Sequence, residues 1–131
     1  MSGPYDIAFA QKVTEFNHRA IRLWNAGDLE GFCNGYAPDA VYASRDGILY
    51  GRKQILEELK QVYPDQIAMG VLTLDIQSLR TPPLSQHPYM GVAILKWTVS
   101  KKNSHEEGYS MVAYELDPFE LLVVQDMSIE C

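Results

Sequence analysis

Asp126 lies in the middle of FELLVVQDMSIE (119–130), where an acidic side chain among apolar neighbours is costly unless it is paired or faces water. In a pocket such a carboxyl would serve as an acid or base in proton transfer. The two-residue period of an extended chain puts Asp126 on the face of Glu120 and Ser128. Because Asp is seldom fully buried, we read it as facing outward, toward solvent or a dimer interface, with the pocket placement as the functional alternative.

Other candidates are hydroxyls and rings. Tyr42 and Ser44 share one face of the segment AVYAS (40–44) and could orient a ligand if that face is concave; a Tyr packed in the core is the alternative. Trp97 shares a face with Ala93, Leu95 and Val99, and Lys96 shares the opposite one with Val92, Ile94 and Thr98. The lysine marks the outward side, so Trp97 looks inward as pocket wall or core filler. Trp24 and Tyr63 stand at helix ends and complete the set of candidate ligand-binding residues, although packing alone would explain either.

Other chemistries find no support. His18, His87 and His105 are far apart and read as surface residues, the two cysteines are isolated, and neither H-x-x-x-H nor C-x-x-C spacing occurs. No metal and no cofactor are therefore expected. Gly-rich phosphate loops are absent, and no nucleophile motif anchors a Ser/His/Asp assembly.

The elements that must position these residues follow from periodicity and punctuation. Phe9, Val13, Phe16, Ala20 and Leu23/Trp24 give residues 5–26 the apolar stripe of an amphipathic helix. Gly27 ends it and Asp28 caps a second, short helix over about 29–36, which Pro38-Asp39 closes. AVYAS (40–44) and ILYG (48–51) form a hairpin around Asp46-Gly47, and residues 52–63 form a third helix that stops at Pro64.

From residue 70 the period becomes two. GVLTLDIQSLR (70–80), YMGVAILKWTVSKK, EGYSMVAYELD and FELLVVQDMSIE read as four strands, with TPPLSQHP (81–88) as a loop. Short linkers favour an antiparallel meander. The expectation is α+β: three N-terminal helices packed on a curved antiparallel sheet, in one domain spanning 1–131, with a pocket between helices and sheet.

The residues W-N-A-G-D (24–28), F at 32, Y-A-P-D-A-V (36–41) and D-G-x-x-x-G-R (46–52) resemble the nuclear transport factor 2-like superfamily. It includes ketosteroid isomerases, SnoaL-like polyketide cyclases and scytalone dehydratase. YPDQIAMGVLTLDI further resembles SnoaL-like domains with no assigned activity. The resemblance runs from Ile7 to Ile129 and implies a cone-shaped barrel of the cystatin-like kind, commonly a homodimer through the outer face of the sheet.

Carried over residue by residue, the ketosteroid isomerase roles come out empty. The general-base carboxylate falls on Ser44, the oxyanion Tyr on Ala20, and the protonated Asp roughly on Ala113. Gln125 and Met127 flank Asp126 where SnoaL-like relatives tend to carry a histidine motif. Proton abstraction by the ketosteroid isomerase route thus lacks both its base and its polarising donor.

The formal net charge of −6, from 17 acidic against 11 basic residues, argues against a nucleic-acid partner. The lack of a signal-like N-terminus, of a membrane-length apolar run and of a disulfide framework gives the expectation of a soluble cytoplasmic protein without a membrane partner. Two functions fit these residues. One is a pocket protein that binds or acts on a small apolar molecule, as an isomerase, cyclase or dehydratase; the other is a non-catalytic homodimeric ligand-binding or interaction module.

Overall fold

Helix α1 (Ile7–Asn25) buries Phe9, Val13 and Trp24 along its predicted stripe, together with one polar residue, Asn17. A computed structural model describes residues 7–81, 89–117 and 120–131; most of the Pro-rich segment read as a loop, including His87, lies outside them. Gly27, at φ 78°, ends α1, and the Asp28 carboxylate accepts from the Gly31 amide at 2.8 Å to start α2 (Leu29–Cys33).

Helix α2 is shorter than the expected 29–36. The sheet takes up the chain first: the Gly35 carbonyl accepts from the Val123 amide at 2.8 Å, and β1 (Tyr36–Ser44) already contains Pro38. Pro38 is tolerated because the β1 register is irregular between Tyr36 and Val41, so its missing donor is not required there. Arg52 seals the corner, its Nε donating to the Tyr36 carbonyl at 2.8 Å.

The hairpin turn is Arg45-Asp46 rather than Asp46-Gly47, since Ser44 pairs with Gly47, the first residue of β2 (Gly47–Tyr50). The Ser44 hydroxyl accepts from the Asp46 amide at 3.2 Å and fixes the turn at that position. Helix α3 (Arg52–Val62) ends before Pro64 as expected. A one-turn helix not read from the sequence, α4 (Gln66–Met69), follows; Asp65 caps it, accepting from the Ala68 amide at 2.8 Å.

Strands β3 (Val71–Arg80), β4 (Tyr89–Ser100), β5 (His105–Asp117) and β6 (Glu120–Glu130) form the expected meander. The six strands lie in the order β2-β1-β6-β5-β4-β3. Every pairing is antiparallel except β1 with β6, so the sheet is mixed rather than wholly antiparallel. It does not close on itself.

The helices pack on its concave face over one continuous core that includes Phe9, Val13, Ile55, Ala93, Leu95 and Val123. A second cluster joins Trp24, Leu29, Met69, Leu72 and Val99. The architecture is α+β, as read from the sequence.

Candidate functional site

Along β6 the side chains alternate until Val124. Leu121 and Val123 point into the core, facing Leu116 and Tyr114 of β5. There the register shifts: Tyr114 opposes Val123 but Ala113 opposes Gln125, so Val124 is an extra residue in the strand. A β-bulge of this kind reverses the facing of everything beyond it. The inner positions become Asp126, Ser128 and Glu130, while Met127 and Ile129, 58% and 55% exposed, turn outward.

Asp126 therefore faces inward, which corrects the outward placement expected from uninterrupted alternation. Its Oδ2 accepts from the Tyr36 hydroxyl at 2.9 Å, and its buried Oδ1 has no hydrogen-bond partner. Burial pushes the carboxyl up from its ordinary 3.8 to about 6, and the Tyr36 hydroxyl holds it back from rising further. A carboxyl so placed exchanges a proton readily near neutrality.

The surrounding phenols stay neutral. Tyr36 is driven well above its ordinary range, first by burial and then by the Asp126 charge. Tyr42, opposite Asp126 in the β1·β6 register, is pushed up to about 12 by the same two causes, opposed by a hydrogen bond with Ser128. Tyr114 is raised by burial and donates to Asn17 Oδ1 at 3.0 Å. Asn17, only 4% exposed, has its Nδ2 buried and unpartnered.

Two adjoining cavities result. A deep chamber of about 70 Å³ is lined by Asn17, Tyr36, Tyr114, Ser110 and Asp126, with Leu95 among its apolar walls. A wider cavity of about 520 Å³ opens between α3, the β1–β2 hairpin and the end of β6. They lie on either side of one hydrogen bond, in which Ser110, on the chamber wall, donates to Ser128, on the wall of the wider cavity, at 3.2 Å.

Four of the residues singled out from the sequence line the wider cavity: Tyr42, Ser44, Tyr63 and Trp97. Trp97 faces inward as the Lys96 argument required, and its buried Nε1 has no hydrogen-bond partner. Lys96 lies on the other side, 3.5 Å from Glu107. Tyr63 is raised by burial and then by Glu106 and Glu130.

Trp24 is a core residue and not a wall. Its Nε1 donates to the Met69 carbonyl at 2.9 Å and its ring packs edge-on against Phe32 and Tyr63. Ser44 stands at the cavity wall with its hydroxyl engaged in the hairpin turn.

Sequence reasoning missed Asn17, Tyr36, Ser110 and Tyr114. Asn17 carried a signal, being a polar residue four positions after Val13 in the apolar stripe of α1. The assignment of a relative's protonated Asp to Ala113 also fails on geometry: Ala113 opposes Gln125 on the outer side, and the inward neighbours are Val112 and Tyr114. Ala20 does line the chamber. Among the described residues no group of three or more His, Cys, Asp or Glu could hold a metal ion, and no helix is long and apolar enough to cross a membrane.

No family model matches the chain, and no curated protein matches it significantly. Solved structures do. An NTF-2-like protein of unknown function from Shewanella oneidensis superimposes with a TM-score of 0.82 at 19% identity, covering 92% of this chain and 98% of that one. The chain has the nuclear transport factor 2-like fold.

Other structures with the same fold share less sequence. A ketosteroid isomerase-like protein from Erwinia carotovora atroseptica has a TM-score of 0.70 at 8% identity, over 92% of this chain and 94% of that one. A Catenulispora acidiphila protein in complex with S-DNPA has a TM-score of 0.70 at 13% identity, covering 95% of both chains. At these identities the likeness carries the nuclear transport factor 2-like architecture, and the chemistry must come from this chain's own residues.

Proposed function

We propose that the protein takes a small, mainly apolar molecule into its cone and that Asp126 exchanges a proton with it, in an isomerase, cyclase or dehydratase type of reaction. The observation that carries this reading is the inward Asp126, half-paired and the only charged group among the described residues lining its chamber, beside a cavity of about 520 Å³. Tyr42, Ser44, Tyr63 and Trp97 form the wall of that cavity. The vacant ketosteroid isomerase positions argue for a route centred on Asp126, with the neutral Tyr36 phenol steadying its ionised form.

The two indole N–H groups give a direct test. Trp24 Nε1 is bonded to a carbonyl and Trp97 Nε1 has no hydrogen-bond partner, so toluene at millimolar concentration is expected to shift the Trp97 indole signal in a ¹H–¹⁵N spectrum and leave that of Trp24 in place. Absence of any shift along Tyr42, Ser110 and Trp97 would overturn the reading.

A homodimer through the outer sheet face is a compatible second reading, favoured by a row of apolar residues there. Ile94, Met111, Met127, Ala43 and Ile48 follow one another across five strands, and Met111, Met127 and Ile48 are each more than half exposed. Contiguous patches of that kind mark interfaces, and a patch that meets its own copy closes as a two-fold dimer. Light scattering should give twice the chain mass, reduced to the chain mass by Met127→Lys; a wild-type monomer at high micromolar concentration would dismiss this reading.

A further inference from the structure

We infer that the deep chamber recognises a hydroxyl group, so that the molecule bound is an uncharged alcohol rather than an acid or a simple carbonyl compound. This rests on the pocket reading above and adds the head group.

The inference comes from two buried atoms of opposite sense that the fold leaves unpartnered on the walls of one chamber. The Tyr114 hydroxyl occupies Asn17 Oδ1 and leaves Nδ2 to donate. The Tyr36 hydroxyl occupies Asp126 Oδ2 and leaves Oδ1 to accept. Each carries a desolvation cost while unmatched. A hydroxyl accepts one hydrogen bond and donates another, so a single group answers both.

Competing head groups each fail at one wall. A carbonyl oxygen answers Asn17 and turns a lone pair toward the Asp126 carboxylate. An ammonium answers Asp126 and meets the Asn17 amide donor to donor. A carboxylate puts two anions in one small chamber that holds no cation among its described residues. The wider cavity works against anions as well, since Asp46, Glu58 and Glu130 on its wall outnumber Arg45. At about 70 Å³ the chamber has room for a polar head and its first carbons, and only the Ser110–Ser128 hydrogen bond need part for the rest of the molecule to reach the wider cavity.

The test is an NMR titration at pH 7.5 with toluene, benzyl alcohol, benzaldehyde, benzylamine and benzoate. Benzyl alcohol is expected to bind roughly tenfold or more tightly than the aldehyde, amine and acid, and Asn17→Leu to remove that advantage while toluene binding persists. Asp126→Asn, a second variant at the opposite wall, places an amide donor where Oδ1 accepts and should invert the order of benzyl alcohol and benzaldehyde. If toluene binds but the head groups are indistinguishable, or the order survives Asp126→Asn, the hydroxyl inference is overturned and the pocket reading stands. If none of the five binds, the pocket reading itself fails.

Discussion

The two ends of β6 put the same backbone to different uses. Before Val124 its inner residues, Leu121 and Val123, join the apolar core with Ala93, Leu95 and Tyr114, and Val123 also reaches the chamber wall. After Val124 the inner residues are Asp126, Ser128 and Glu130, the last two lining the open cavity and the first lining the chamber beneath it. One inserted residue separates a half of the sheet that holds the fold together from a half that can do chemistry. Without the bulge, Gln125, Met127 and Ile129 would face inward and the carboxyl would sit in solvent.

If the contrast is sound, equal changes on the two sides have unequal effects. The largest is expected from Val123→Asp, which places an unpaired carboxylate among the buried core side chains. A penalty above about 4 kcal/mol would consume most of the stability of a domain this size. Circular dichroism and urea titration at pH 7.5 should show no cooperative unfolding. A folded Val123→Asp protein would mean that this end tolerates a carboxylate as well as the other does.

Much of the architecture was legible because it rests on local rules. Gly27, Asp28 and Pro64 mark helix ends, and alternation along residues 89–117 gives two strands with their facings. Trp97 was correctly turned inward by the charge of Lys96 beside it. What escaped depends on partners distant in sequence. Helix α2 is cut short by a hydrogen bond from Val123, and the β1·β6 pairing is parallel because the last strand returns beside the first.

The site was harder to read for the same reason. Asp126 was the right residue on the wrong face, since its facing depends on a bulge set by pairing with β5, and nothing in VVQDMSIE marks Val124 as the extra residue. Tyr36 falls at the end of the helix read over about 29–36, which gives no sign of its pairing with a carboxyl 90 positions away. Trp24, named as a ligand contact, belongs to the packing of α1 on α4.

The account stands or falls on Asp126, and one measurement addresses it directly: the unfolding free energy of Asp126→Asn relative to wild type as a function of pH. Because the folded carboxyl is raised from 3.8 to about 6, the native state holds its proton more tightly than the unfolded state does. Wild-type stability therefore falls as pH rises from about 4 through 6, by on the order of 2–3 kcal/mol. Asparagine keeps an oxygen for the Tyr36 hydroxyl and carries no charge. The variant should be more stable than wild type by about 2 kcal/mol at pH 7.5 and no more stable at pH 4. A variant that is equal or less stable at pH 7.5, with no trend between pH 4 and 7, would show that Asp126 is a solvated or structurally paired carboxylate and not the inward-facing acid–base group of the pocket.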